Sequence, residues 1–235
     1  MAKLVLVRHG QASYGQLDYD RLSPRGVEQA RALGHTLAAL APDALFVGPL
    51  VRQQQTAEHA RAAAPQLPAP ITLDGLAEYP GFDIVNAFLP RLVAESPERA
   101  AELAAVAAKP TRELADFAFK TILAKWSRDE WHRDGIERVH EFTARVRAAL
   151  DRAIAAAGPG GTIAAITSAG PIGVAVGLVF GATAHHMIRA SNVIRNASIS
   201  ELKLRTQSFA WDADQISLVT FNSTAHLPPA MVTEY

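Results

Sequence analysis

The first apolar run of the chain is short and unbroken, Leu4-Val5-Leu6-Val7, and it is closed by Arg8-His9-Gly10. Four apolar residues with no polar alternation predict a parallel strand buried on both faces. Ser23-Pro24 predicts a helix start, with Ser as N-cap and Pro at the first helical position. Val27, Ala30, Leu33, Leu37 and Leu40 recur at helical spacing and supply that helix with a buried face. A second strand is expected at Ala44 to Val47, then a helix carrying Arg52 and Thr56, and then a short strand at Ile71-Thr72-Leu73. Between about residues 85 and 157 the pattern changes to Ala, Leu, Arg and Glu at helical spacing, with breaks at Pro90, Pro97 and Pro110. The last of these helices is expected from about Ile136 to Ala157. A strand returns at Thr162 to Thr167, followed by Ser168-Ala169-Gly170-Pro171, which opens another helix. Ser198 to Arg205 and Ile216 to Phe221 alternate as strands do, and predict an antiparallel hairpin at a sheet edge.

Strands alternating with helices argue for an α/β fold: a three-layer α/β/α sandwich around a mainly parallel sheet, with a helical cap insertion over the C-terminal ends of the strands. The expected organisation is one domain over residues 1–235, with the insertion at about 85–157. Ligands of such sheets bind outside the carboxyl ends of the strands. Two polar turns, Arg8-His9-Gly10 and Thr167-Ser168-Ala169-Gly170, stand at predicted strand ends, so a site is expected there.

Composition narrows the chemistry. Lys plus Arg equals Asp plus Glu, at 23 each, so bulk charge gives no reason to expect nucleic acid or a membrane surface as partner. The chain has no cysteine, which removes disulfides, thiolate nucleophiles and Cys-based metal sites. The longest apolar stretch, Pro171 to Phe180, is interrupted by glycines and falls short of the ~20 residues of a membrane span. A cytoplasmic protein is expected. His185 and His186 are adjacent, so on a helix they point about 100° apart and make a poor metal pair. No metal and no cofactor is expected. A local basic pocket for a small anion stays compatible with the balanced charge, and the terminal edge strand allows a homodimer.

A neutral imidazole held in one tautomer is a competent nucleophile toward phosphorus, and His9 follows a buried strand directly. Phosphoryl transfer also needs cations on the equatorial oxygens, and the planar fork of arginine suits them. Arg8 and Arg52 are the candidates. Gly10 would allow close backbone approach to a ligand, and the helix opening near Gly170 would aim N–H groups at an anion.

The residues Val7-Arg8-His9-Gly10-Gln11 resemble the signature of the histidine phosphatase (phosphoglycerate mutase-like) superfamily. Leu22-Ser23-Pro24-Arg25-Gly26-Val27-Glu28-Gln29-Ala30, Pro49-Leu50-Val51-Arg52-Gln53-Gln54-Gln55-Thr56-Ala57, Leu76-Ala77-Glu78-Tyr79, Arg195-Asn196-Ala197-Ser198-Ile199 and Phe221-Asn222 with His226-Leu227 resemble further segments of it, in the same order. The resemblance implies that His9 accepts the phosphoryl group, that Arg8 and Arg52 clamp it, and that Glu78 is the general acid; Asp74 and Asp83 compete for that last role. It implies a substrate-binding part for Gly10, Gln11, Ser23, Ser168, Ala169 and Gly170. Most members carry a second histidine where this chain has Ala169, so the chain resembles a bacterial branch that lacks it.

The implied function is a phosphoric monoester hydrolase acting through phosphohistidine at His9, without metal, and the implied partner is a small phosphorylated substrate or phosphate. Two alternatives stay open: a phosphoglycerate mutase-type phosphotransferase, and a non-catalytic phospho-ligand-binding or regulatory protein. Of the remaining histidines, His226 is the one that could replace the missing donor in space. Trp126 and Trp131 are expected to pack the insertion, and Trp211 the edge hairpin.

Overall fold

The computed structural model describes residues 1–13, 20–106, 111–158, 160–205, 211 and 214–234. Along the chain they form β1 (Ala2–Arg8), α1 (Pro24–Leu40), β2 (Ala44–Val47), α2 (Val51–Ala63), β3 (Pro70–Thr72), α3 (Gly81–Glu95), α4 (Ala100–Val106), α5 (Arg112–Ser127), α6 (Val139–Ala155), β4 (Thr162–Thr167), α7 (Ala169–Val179), α8 (Ala184–Ser191), β5 (Ile199–Leu204) and β6 (Ile216–Ser223). The sheet order is β3-β2-β4-β1-β5-β6. The first four strands of that order are mutually parallel, β5 runs antiparallel to β1, and β6 returns antiparallel to β5. This is the three-layer α/β arrangement expected from the sequence, with the terminal hairpin at one edge.

Side chains alternate across a strand, so each strand feeds two cores. Val5 and Val7 of β1, Leu45 and Val47 of β2, and Ala164 and Ile166 of β4 pack with Leu33 and Leu37 of α1 and Ala57 and Ala60 of α2. Leu4, Leu6, Phe46, Ile163 and Ala165 alternate with these and are equally buried on the other face, where α7 lies against β1. Burying one such aliphatic side chain contributes about 1.5–3 kcal/mol, which is why the unbroken apolar run of β1 sits at the centre of the sheet.

α1 begins where Ser23-Pro24 predicts: the Ser23 hydroxyl accepts the Gly26 N–H at 3.1 Å. Its buried stripe includes Ala30, Leu33 and Leu37, while Val27 and Leu40 are only partly covered. The fully buried Gln29 takes a place on that stripe. Apolar periodicity passes over it because its burial rests on hydrogen bonds.

The described residues divide into two compact units, one comprising residues 1–78 and 144–235, the other residues 79–143. The second has its own core of Ile84, Phe88, Leu92, Leu103, Ile122, Trp126, Trp131 and Phe142. Trp126 stacks near Tyr79 with ring centroids 5.4 Å apart, and Tyr79 meets Phe142 edge-on at 5.6 Å. Trp126 and Trp131 therefore pack as expected. Pro90 does not break the chain: it lies inside α3. It is exposed, as is Asn86 four residues earlier, so water can satisfy the carbonyl that proline leaves without a donor. Pro97 opens a single 3-10 turn as a break should, whereas Pro110 lies outside the described residues. α6 starts three residues later than expected. The Trp211 indole N–H donates to Asp151 of α6 at 2.8 Å. Among the described residues no helix is long and apolar enough to cross a membrane.

Candidate active site

All four parallel strands deliver a polar segment to the same edge of the sheet. β1 and β4 are in register up to Arg8 opposite Thr167, and the His9 N–H continues the ladder by donating to the Thr167 carbonyl at 2.8 Å. The two polar turns therefore stand side by side. β2 pairs with β4 on its other flank and leads through Gly48 to α2, whose second residue is Arg52. β3 leads through Leu73, whose N–H donates to the Val47 carbonyl, to the segment ending at Glu78. Strand pairing thus assembles side chains that lie far apart in sequence.

His9 is 5% exposed. Its Nδ1 lies 2.7 Å from the Gly10 carbonyl oxygen. A carbonyl only accepts, so Nδ1 carries the proton and Nε2 carries the lone pair. Arg52 Nε–H donates to that lone pair at 3.0 Å. Burial pushes the His9 pKa well below 6.5, the Arg52 and Arg8 charges push it the same way, and the Gly10 carbonyl opposes them. His9 is therefore a neutral imidazole of defined tautomer with its nucleophilic nitrogen facing a guanidinium.

Arg52 is buried, and its Nη1 donates to Asp20 Oδ1 at 2.5 Å. Arg8 extends elsewhere: its Nη1 donates to the carbonyls of Ile194 and Glu234. One side of Gly10 packs against the start of α1. A Cβ built on it would stand 2.5 Å from the Gly26 carbonyl, and one on Gly26 would stand 2.1 Å from the Gln11 carbonyl. The close approach here is between the His9 turn and the first turn of α1, which sets how deeply the turn seats. Gln11 and Ser23 serve the same junction. The Ser23 hydroxyl donates to Gln11 Oε1 at 3.0 Å, the Ser23 N–H donates to the Gln11 carbonyl at 2.9 Å, and the Gln11 N–H donates to Gln29 Oε1 at 2.7 Å. Thr56 completes the support by accepting the Gly10 N–H at 3.1 Å.

The turn after β4 is built around Gln53, which is fully buried. Its amide nitrogen donates to Ser168 Oγ at 2.8 Å and to the Leu76 carbonyl at 3.1 Å, and its oxygen accepts the Leu50 N–H at 3.0 Å. One side chain thereby ties the start of α2, the segment before Glu78 and the turn before α7. Ser168 is fully buried. Ala169, the first residue of α7, is half-buried, and the Gly170 N–H donates to Glu78 Oε2 at 3.0 Å. Glu78 thus lies at the positive end of α7. Its segment is pinned by Arg145, whose Nη1 donates to the carbonyls of Gly75 and Ala77 at 3.1 and 2.8 Å and whose Nη2 donates to that of Glu78 at 3.2 Å. Asp74 opens the 3-10 turn of that segment, and Asp83 belongs to the second unit.

His226, after β6, is half-buried. Its ring bonds the Ala197 backbone, and burial lowers its pKa. Ala197 in turn donates its N–H to the His9 carbonyl at 3.1 Å, so His226 braces the backbone of the nucleophile. Asp20, Gln29, Gln53 and Arg145 were not singled out from sequence. Asp20 and Arg145 have no motif around them that separates them from solvated positions, while Gln29 and Gln53 lie inside motif segments without a role having been read for them.

Comparison with known proteins follows this geometry. The sequence model of the histidine phosphatase superfamily (branch 1) matches residues 4–84 and 107–216. A stretch of 77 residues is 40% identical to 2,3-bisphosphoglycerate-dependent phosphoglycerate mutase of Leifsonia xyli subsp. xyli, covering 29% of this chain and 30% of that protein. The match therefore spans less than a third of the mutase. In fold the chain is similar to Bacillus stearothermophilus YhfR, at 15% identity and a TM-score of 0.66 over 96% of this chain and 99% of that one. It is similar to phosphoserine phosphatase of Entamoeba histolytica, solved with 3-phosphoglyceric acid, at 18% identity and a TM-score of 0.64 over 97% of this chain and 100% of that one. It is also similar to mycobacterial glucosyl-3-phosphoglycerate phosphatase, solved with inorganic phosphate, at 20% identity and a TM-score of 0.64 over 96% of this chain and 99% of that one. With the family matched over both halves of the sheet and the His9 turn within the matched range, the chain belongs to the histidine phosphatase superfamily, branch 1.

Proposed function

We propose that this protein hydrolyses phosphoric monoesters through a phosphohistidine at His9. The observation that carries the reading is the state of the imidazole: its proton sits on Nδ1 against the Gly10 carbonyl, and Nε2 meets the Arg52 guanidinium. In the first step Nε2 attacks phosphorus. The P–N bond forms as the P–O bond to the leaving alcohol breaks, and the electron pair goes to that oxygen, which takes a proton from Glu78. In the second step water, giving a proton to the Glu78 carboxylate, attacks phosphorus. The P–N bond breaks, the pair returns to Nε2, and inorganic phosphate leaves.

Arg52 is the cation beside the equatorial oxygens, with Arg8 adding charge behind the nucleophile. The Gly170 N–H, which donates to Glu78, is the backbone donor that the Ala169 turn can still offer. The mutase-type alternative uses the same first step and differs in returning the phosphoryl group to an acceptor alcohol; the mutase match over 77 residues speaks for it.

The test is incubation of the pure protein with an aryl phosphate without added metal, beside His9→Ala. Alcohol release that vanishes in the variant, together with an acid-labile phosphoryl adduct on His9, supports the hydrolase. Absence of both release and adduct with several phosphoesters overturns it in favour of a phospho-ligand binder.

A further inference from the structure

Asp20 has no part in the scheme above, yet it is tied to the nucleophile through a single side chain. The backbone around it is held. Ser13 N–H donates to the Arg21 carbonyl at 2.8 Å, and Leu22 N–H donates to Gln55 Oε1 at 2.9 Å. From this loop the Asp20 carboxylate reaches the start of α2. Oδ2 accepts the Val51 N–H at 2.9 Å and Oδ1 accepts Arg52 Nη1 at 2.5 Å. The other side of the same guanidinium donates Nε–H to His9 Nε2 at 3.0 Å. Carboxylate, guanidinium and imidazole form one line, in which the Arg52 side chain is 10% exposed and that of Asp20 34%.

Two roles fit a carboxylate in such a place. It could compete with phosphate for Arg52, or it could aim Arg52. The contacts favour aiming. One carboxylate oxygen is fixed on a helix N–H, so the carboxylate is itself held in place. It engages Nη1 and leaves Nε on the imidazole, and a guanidinium has five donors, enough for a carboxylate and a phosphoryl oxygen together. An unanchored arginine would spread over its rotamers and face the nucleophile only part of the time.

We infer that Asp20 is a positioning residue, which holds the Nη1 side of Arg52 so that Nε–H stands on His9 Nε2 and passes to an equatorial oxygen when the phosphoryl group arrives. The inference rests on the phosphohistidine reading for its chemistry, but the aiming of Arg52 is measurable without turnover.

The experiment compares wild type, Asp20→Ala and Asp20→Asn. The first readout is the arginine Nε–H and imidazole nitrogen NMR spectrum of the substrate-free protein, with Arg52→Lys and His9→Ala assigning the signals. The wild type should show a slowly exchanging Arg52 Nε–H coupled to His9 Nε2. Asp20→Ala should lose it, and Asp20→Asn, which keeps one acceptor, should weaken it. The second readout is steady-state kinetics on an aryl phosphate, per folded molecule. Asp20→Ala should lower kcat by about 10- to 100-fold, the scale of a misplaced catalytic contact, with KM moving less than about threefold. Asp20→Asn should fall between them, and it also serves should the alanine variant not fold. An Arg52 Nε–H signal that survives in Asp20→Ala overturns the inference. So does an unchanged kcat with tighter binding of inorganic phosphate, which would make Asp20 a competitor. A wild type that forms no phosphohistidine would sink the hydrolase reading and leave the NMR comparison to decide the placement of Arg52.

Discussion

Glu78 Oε2 accepts the backbone N–H of Gly170 at 3.0 Å. The carboxylate that the family resemblance marks as general acid thus lies at the N-terminus of α7, one residue from Ala169. The helix dipole and the N–H hold that carboxylate in place, and an arriving phosphoryl group, itself an anion, would compete for the same N–H.

Glu78→Gln keeps an oxygen that can accept from Gly170 but has no proton to transfer. Its kcat should fall by about 10²–10⁴-fold on alkyl phosphates, whose leaving oxygen needs protonation, and much less on p-nitrophenyl phosphate, whose leaving group does not. Asp83→Asn should change neither. Parallel assays on the two ester types check this, and equal losses on both would return the role of acid to another group.

Ala169 is half-buried at the first position of α7, so a larger side chain can extend toward solvent without entering the core. Ala169→His should therefore fold with near wild-type stability. It should raise kcat, by up to the ~10² that one added donor to transition-state charge supplies. Thermal unfolding and aryl phosphate turnover measure the two. A folded variant with unchanged turnover would mean that the turn already supplies what the histidine would.

Arg145 holds the carbonyl groups of Gly75, Ala77 and Glu78, three of the last four in the segment that ends at Glu78. Arg145→Ala leaves them without that donor and should cost about 1–3 kcal/mol of stability. It should lower kcat more than KM, because Glu78 loses its support while the His9–Arg52 pair does not. Urea unfolding and steady-state kinetics at one temperature test both parts.

The His9 pKa lies well below 6.5, chiefly through burial and then through the Arg52 and Arg8 charges. Above pH 6.5 the folded and unfolded chains both hold His9 neutral. Below it the unfolded chain takes up a proton that the folded chain refuses. The depressed pKa therefore makes stability fall as pH drops from 6.5 toward the folded value, by at most about 1.4 kcal/mol per pH unit for one proton. His226 is lowered in the same direction and adds to the slope. Urea unfolding at a series of pH values between about 5 and 7.5 should show this decline. His9→Asn should flatten it, and an unaltered slope in that variant would contradict the neutral imidazole.

Much of the fold was legible because its signals are local. An unbroken apolar run specifies a strand buried on both faces, and β1 and β4 stand where Leu4 to Val7 and Thr162 to Thr167 announce them. Ser23 before Pro24 fixes a helix start through one side chain and one missing N–H, and the structure places α1 there. The identity of His9 and Arg52 as candidates also came from ordered motifs. What the motifs could not contain is distance in space. Arg52 meets His9 across 43 positions of chain, and Glu78 meets Gly170 across 92. Both contacts exist because β1, β4 and β2 pair in register and end on one edge. Gln53, Arg145 and Asp20 are polar residues that look like solvated ones until the elements around them pack. The tight packing at Gly10 was equally hidden, because a glycine's sequence neighbours do not show that the first turn of α1 stands against it. Local periodicity and capping determined which elements form. Strand pairing and burial, which bring distant residues together and remove water from between them, decided which polar groups make the site.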